Sequence, residues 1–197
     1  MRKCMTVMVG LLIMVFATVC YAESYQMTYE EKNFTENMKD NQALTDTFTT
    51  PYGPLKFQIR KLWNSSSDKR LHFMAWLNDT KVIDEHFPKV DFGYTFRAIK
   101  NTSNSEQFYV LQSIERACLF GYSPNAQKMV SYIDSQNYAH EPGAYPYIVV
   151  LKDGELVLAF EKGNSCRRYQ FHWDEDANWF GYTDLGTGWP SIGKEKM

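Results

Sequence analysis

The sequence lacks the short motifs that mark common catalytic chemistries. It contains no GxSxG nucleophile elbow, no HExxH zinc-protease helix, no Walker loop and no GxGxxG dinucleotide turn. Each of its four histidines stands alone in sequence, which is typical of surface or half-buried strand positions rather than of a ligand or a general base. These four are His72, His86, His140 and His172. The missing motifs favour a protein that is not an enzyme.

A strong excess of charge of either sign is also missing. The chain has 21 Lys and Arg against 23 Asp and Glu, a formal net charge of −2. This balance excludes the strongly basic footprint of a nucleic-acid-binding domain.

Only one long hydrophobic run is present, at residues 5–19. It is shorter than the roughly 20 residues that a spanning helix needs, it follows Arg2 and Lys3, and it precedes the small residue Ala22. We therefore predict that residues 1–22 are a signal peptide cleaved after Ala22. The residue before Cys20 is Val19, which disfavours a lipoprotein signal. The mature protein is then expected in the periplasm or outside the cell, without a membrane span.

Cysteine is scarce, because only Cys118 and Cys166 lie beyond the predicted signal peptide. Their separation excludes a CxxC redox motif. An exporting route permits a bridge between them, and closing a loop of that size would stabilise the fold by roughly 4 kcal/mol. We predict this disulfide; the alternative is two buried free thiols.

The clearest structural signal is a β-pattern at residues 147–173. Two apolar runs flank Asp153-Gly154, a pair that strongly indicates a hairpin with a type I′ turn. The following run alternates, with Tyr169, Phe171 and Trp173 on one face, as in a half-buried strand. We expect three antiparallel strands here.

Similar short apolar runs and turns continue back to about residue 45. Strand starts near His72, Phe108 and Tyr147 recur at similar intervals without a shared side-chain motif. We therefore predict a single-domain, mainly antiparallel all-β sandwich or barrel built from β-meanders over residues 45–197. The alternative is a propeller-like repeat of hairpins. Residues 23–44 are polar, and Thr28 and Glu31 form a capping-box pattern, which predicts a short exposed helix or a loose arm.

The most polar cluster follows Trp173. Asp174, Asp176 and Asn178 alternate so that three oxygen ligands could converge on one Ca²⁺ ion, with Asp184 closing the shell. This is not an EF-hand loop, whose sixth and twelfth positions are Gly and Glu. The plain alternative is an Asx-rich turn between strands with core aromatics on both sides.

Three rings beside this turn suggest a second kind of site. Trp173, Trp179 and Tyr182 could form a stacking platform for a sugar ring or for an apolar side chain of a partner. We therefore expect an exported, non-catalytic binding protein whose partner is an envelope protein or a glycan. The alternative is a small secreted glycan hydrolase with an acid and a base among Asp174, Glu175 and Asp176.

Overall fold

The structure is a computed structural model, and it describes residues 24–27, 32–34, 39, 41–65, 68–88 and 94–192. In these residues almost all regular structure is antiparallel β-strand, arranged in three sheets without a closed barrel. The predicted all-β class is confirmed, and the architecture is that of a sandwich. Within the same residues, no helix has the length and apolar character needed to cross a membrane.

The first sheet, here called the front sheet, is a meander of four strands in chain order. They are β3 (Ala43–Thr50), β4 (Gly53–Ser65), β5 (Asp68–Leu77) and β6 (Thr80–Pro88).

The middle sheet has six strands, of which the last four form a second meander. Its two short N-terminal strands both pair with β7. The strands are β1 (Tyr25–Met27), β2 (Lys32–Phe34), β7 (Tyr94–Asn101), β8 (Gln107–Gln112), β9 (Ala117–Ser123) and β10 (Lys128–Asp134).

The back sheet is a third meander of four strands. A single 3₁₀ turn (Ser135–Asn137) and the loop of residues 138–144 lead into it. The strands are β11 (Tyr145–Val150), β12 (Leu156–Lys162), β13 (Ser165–Asp174) and β14 (Trp179–Pro190). Three successive meanders of four strands share the connectivity that the propeller alternative describes, although they form stacked layers.

The sheets stack in the order front, middle, back, because the middle sheet is apolar on both faces. Alternate side chains of a strand point to opposite faces. In β8, Tyr109 and Leu111 therefore pack against the front sheet, while Phe108 and Val110 pack against the back sheet. A continuous buried run of this kind is expected only for a strand covered on both sides.

A buried polar contact ties the middle sheet to the back sheet. The guanidinium of Arg97 donates to the carbonyl oxygen of Ile148 (2.8 Å) and to Oε1 of Gln112 (2.5 Å). The same Gln112 oxygen accepts from the Ile148 amide (3.2 Å). Since Arg97 is only 2% exposed, these bonds offset part of the cost of burying its charge.

The N-terminal segment differs from the predicted helix or arm. β1 and β2 are strands that cover the open edge of β7, and Tyr25 is buried with its ring 6.2 Å from that of Phe180. The aromatic anchor explains the difference, because it lets a mostly polar segment dock on the sheet. The predicted signal peptide and the Thr28–Glu31 capping box lie outside the described residues.

The hairpin predicted at Asp153-Gly154 is present, but its turn is not type I′. Only Gly154 has a positive φ (88°), and its amide donates to the Leu151 carbonyl (2.9 Å). A two-residue turn in which both central residues have positive φ occurs instead between β5 and β6, at Asn78 (49°) and Asp79 (64°). Asn and Asp tolerate this region better than other side chains.

The predicted disulfide is not formed in this structure. Cys118 and Cys166 are both buried free thiols. Cys118 lies in the core between the front and middle sheets, whereas Cys166 lies on the far face of the back sheet. Their strands, β9 and β13, belong to adjacent sheets about 10 Å apart, and their side chains point away from each other. This spacing is more than the Cα separation of about 7 Å that a disulfide permits.

Candidate functional site

The acidic turn that sequence analysis singled out connects β13 to β14. Asp174 pairs with Trp179 across the end of the hairpin, and Asn178 has a positive φ of 53°. The Oδ1 atom of Asp174 accepts a hydrogen bond from the Ala177 amide (2.9 Å). Asp176 is exposed. The Asp174 carboxylate thus caps its own turn, as in an Asx turn.

The fourth ligand proposed for Ca²⁺ does not reach this turn. Asp184 lies five residues beyond Trp179, about 17 Å along an extended strand, and pairs with Tyr169. Its carboxylate accepts hydrogen bonds from Arg167 and from the Gly186 amide. These hydrogen bonds, the Gly186 amide first, lower the pKa of Asp184. The calcium site at Asp174, Asp176 and Asn178 stays a prediction.

The three aromatic residues predicted to bind a ligand are placed differently from one another. Trp173 is half-buried, with its ring 5.0 Å from that of Phe180. Trp179 is 44% exposed and Tyr182 is 54% exposed. Trp173 therefore supports the core, and only Trp179 and Tyr182 present a ring to an external molecule.

Tyr182 begins a continuous series of ring contacts along the inner face of the back sheet. Its ring lies 5.9 Å from Tyr169, which lies 6.1 Å from Phe160, which in turn stacks on His140 at 4.3 Å and 2°. We call Tyr182, Tyr169, Phe160 and His140 the aromatic track. Its rings come from β12, β14, β13 and the loop before β11, so only the tertiary structure brings them together.

The track ends in a cavity of about 410 Å³ between the loop of residues 138–144 and the back sheet. Its lining includes His140, Glu141, Phe160, Lys162, Cys166 and Arg167.

Polar groups surround the rings of this cavity. Lys162 Nζ lies 3.1 Å from a Glu141 carboxylate oxygen. The Arg167 guanidinium hydrogen bonds to Asp184 and lies 5.3 Å from the centre of the Tyr169 ring. Apolar rings flanked by a few charged hydrogen-bonding groups are typical of small-molecule sites.

The tyrosines at the entrance are held by the loop. The Tyr169 hydroxyl donates to the Ala139 carbonyl (2.7 Å), and the Tyr138 ring lies 5.3 Å from that of Tyr182. Burial, with smaller contributions from neighbouring acidic groups and phenols, raises the pKa of Tyr138 to about 12. The Tyr138 phenol is therefore neutral at physiological pH.

Cys166 belongs to the lining of the cavity, but its buried thiol points to the opposite face of the back sheet. It donates to the Pro190 carbonyl (3.2 Å) and accepts from Nε of Arg168 (3.3 Å). These contacts hold the thiol to the β13–β14 pair, so it acts in packing here.

Sequence analysis missed a second cluster, on the front sheet, where His72, Asp84 and His86 converge. Among the described residues, this is the one group of three or more His, Cys, Asp or Glu side chains close enough to hold a metal ion. The Asp-x-His spacing at 84–86 puts both side chains on one face of a strand. That spacing is the one sign of a metal site that the sequence offered, but it does not show that His72 lies beside the other two residues.

Comparisons with known proteins find no matching family model, no matching curated protein and no matching solved structure.

Proposed function

We propose that this chain is an exported, non-catalytic binding protein that holds a glycan along the aromatic track. The observation that carries the proposal is the pair of accessible sites at the two ends of the track, the exposed ring of Tyr182 and the cavity at His140, which the buried rings of Tyr169 and Phe160 connect. A volume of about 410 Å³ lies within the range of about 300–1,000 Å³ that ligand pockets commonly have.

The chemistry of the lining fits a sugar. Aromatic faces pack well against the C–H surface of a pyranose ring, while hydroxyl groups need polar partners around the ring edge. Arg167, Lys162 and Glu141 supply both donors and acceptors beside the rings of Phe160 and His140. An extended ligand would place one ring on Tyr182 and a terminal unit in the cavity.

The carboxylates of the cavity favour binding over hydrolysis. Glycoside hydrolysis generally uses two carboxyl groups that flank the scissile bond. Within the described residues, Glu141 is the one carboxylate of the lining, and Lys162 pairs with it. Asp174, Glu175 and Asp176, which the hydrolase alternative would use, lie in the exposed β13–β14 turn. The signal-peptide pattern at residues 1–22 supports an extracytoplasmic site of action.

The test is a fluorescence titration of the purified protein with a panel of neutral oligosaccharides built from glucose, xylose, mannose or N-acetylglucosamine. At least one member should bind, and Tyr182→Ala should weaken that binding by about two- to tenfold, which is the usual value of one aromatic contact. Tyr145→Ala is the matched control, because Tyr145 is 48% exposed and lies on the opposite face of the back sheet, with Tyr147 of the third cluster.

Two results would contradict the proposal. Absence of binding to every panel member would remove the glycan as ligand. Cleavage of a bound oligosaccharide, detected by chromatography of the products, would show that the protein is a hydrolase.

A further inference from the structure

The outer face of the front sheet carries a cluster that is separate from the aromatic track. His72 of β5 lies directly opposite His86 of β6, and Asp84 lies two residues before His86. The imidazole rings of the histidines stack at 4.3 Å and 11°. His72 Nε2 is 2.5 Å from Oδ1 of Asp84.

A β-bulge creates this convergence. The two-residue turn at Asn78-Asp79 pairs Leu77 with Thr80 and Trp76 with Lys81, but the next pair is Ala75 with Ile83. The extra residue is Val82, which shifts the register of the rest of β6 by one. Since a one-residue shift moves every following side chain to the other face, the bulge puts Asp84 and His86 on the same face as His72.

The donor atoms have the chemistry and spacing of a transition-metal site. One ligand atom from each of the three side chains lies within 4.8 Å of the other two. A tetrahedral zinc ion with bonds of about 2.0–2.1 Å needs ligand atoms roughly 3.3 Å apart, so small side-chain rotations suffice. Two imidazoles and one carboxylate suit zinc and its neighbours, whereas magnesium and calcium prefer oxygen ligands alone.

We propose that His72, Asp84 and His86 form a binding site for a divalent transition-metal ion, represented here by zinc. The protein supplies three ligands, and because Asp84 and His86 are exposed, the fourth position faces solvent. A site with three protein ligands leaves that position for water or for another molecule.

Neighbouring cations limit the affinity. Lys81 Nζ lies 2.5 Å from Oδ2 of Asp84, and Arg60 of β4 pairs with His72 from the other side. Zinc must compete with the Lys81 ammonium for the Asp84 carboxylate. Lys81 contacts Oδ2, however, whereas the oxygen next to His72 is Oδ1. The Lys81 side chain is 50% exposed, so it can move away into solvent.

The test is calorimetric titration of zinc into the full chain, with magnesium as the comparison ion. We expect one zinc ion per chain with a histidine-dependent affinity, and no heat with magnesium. His72→Gln and His86→Gln should each weaken zinc binding by at least about tenfold, as loss of groups at metal sites usually does. His172→Gln is the matched control, because His172 is an exposed strand histidine on the back sheet. The His172→Gln variant should bind zinc with the same affinity as the parent protein.

Electron paramagnetic resonance of bound copper(II) gives a second measurement. The parent should show coupling to two imidazole nitrogens, and each single His→Gln variant should show one. Circular dichroism confirms that each variant is folded. The proposal is overturned if the parent binds no zinc at millimolar concentration, or if the His72 and His86 variants bind as tightly as the His172 variant.

Discussion

His72 and His86 are cross-strand neighbours in the front sheet, with ring centres 4.3 Å apart, because Val82 is inserted as a bulge between the hairpin turn and the rest of β6. The bulge also keeps Ile83 and Phe87 in the core, where they are 7% and 0% exposed. Burial of these two apolar side chains therefore has a consequence for the opposite face. It brings two imidazoles and a carboxylate together on the solvent side.

Removing the Lys81 charge is expected to tighten zinc binding. The Lys81 ammonium, followed by His72, lowers the pKa of Asp84 to about 2, so the carboxylate is ionised at neutral pH and engaged by Lys81. An exposed ion pair contributes little to stability, and Lys81→Gln should therefore increase zinc affinity by no more than about fivefold. Calorimetry compares it with Lys162→Gln, which removes a lysine charge on the back sheet. Equal affinities for the two variants would contradict the prediction.

Truncating Phe96 should strongly destabilise the fold. This ring is 1% exposed and has its centre 4.6 Å from Phe57, 5.1 Å from Phe48 and 5.7 Å from Phe73. It joins the front and middle sheets, so Phe96→Ala leaves a cavity that neither sheet can close alone. We expect a loss of about 3–5 kcal/mol in the free energy of unfolding.

Urea denaturation measures this loss. The exposed Tyr145→Ala should change the free energy of unfolding by less than about 0.5 kcal/mol. If Phe96→Ala changed the free energy of unfolding as little as Tyr145→Ala does, the Phe96 ring would not be part of a packed interface.

Alkaline pH should destabilise the protein through its buried phenols. Burial raises the pKa of five tyrosines above the usual value of about 10. They are Tyr52, Tyr132, Tyr138, Tyr147 and Tyr169. A raised folded-state pKa means that the stabilisation is complete below pH 10 and is lost as the pH rises through the folded-state values, about 12 for Tyr138.

Tyrosinate absorbance and circular dichroism, followed together, test this sign. We expect part of the absorbance change to appear only as the β-signal disappears. Tyr138→Phe should move the unfolding midpoint to higher pH, because it removes one group that must ionise. Complete ionisation of all tyrosines near pH 10 with an intact β-signal would refute the assignment.

The two cysteines are expected to remain unbonded to each other. Cys118 is 0% exposed and Cys166 is 2% exposed, in different layers of the sandwich. Burial, with Asp134 next, raises the pKa of the Cys118 thiol well above its usual range, so it should react slowly with alkylating agents. Mass spectrometry of unreduced protein that lacks residues 1–22 should show two alkylations after denaturation and almost none before. A mass unchanged by alkylation until reduction would restore the bridge that the sequence predicts.

The strand pattern could be predicted from sequence because it depends on local alternation. Tyr169 and Phe171 do face the core and His172 does face solvent, since an extended chain necessarily alternates its side chains. The hairpin position at Asp153-Gly154 could be predicted as well. Its turn type could not, because strand register and loop length decide which residues take positive φ.

The role of the individual aromatic residues required the tertiary structure. Trp173, Trp179 and Tyr182 look equivalent in sequence, yet Trp173 packs against Phe180 while the other two rings are exposed. Periodicity gives the face of the strand on which a ring lies, but not which rings of other strands cover it.

Antiparallel strands could be predicted from the sequence, because alternation, β-branched runs and turn residues act over a few positions. Three features are visible only in the folded chain: the middle sheet is covered on both faces, the two cysteines lie in separate layers, and His140 stacks on Phe160 at the cavity. The pairing of His72 with His86 is likewise visible only there, because it depends on the bulge at Val82. The physical reason is the same in each case: these contacts follow from register and layer order, which are selected by burial of apolar surface across the whole fold rather than by neighbours in sequence.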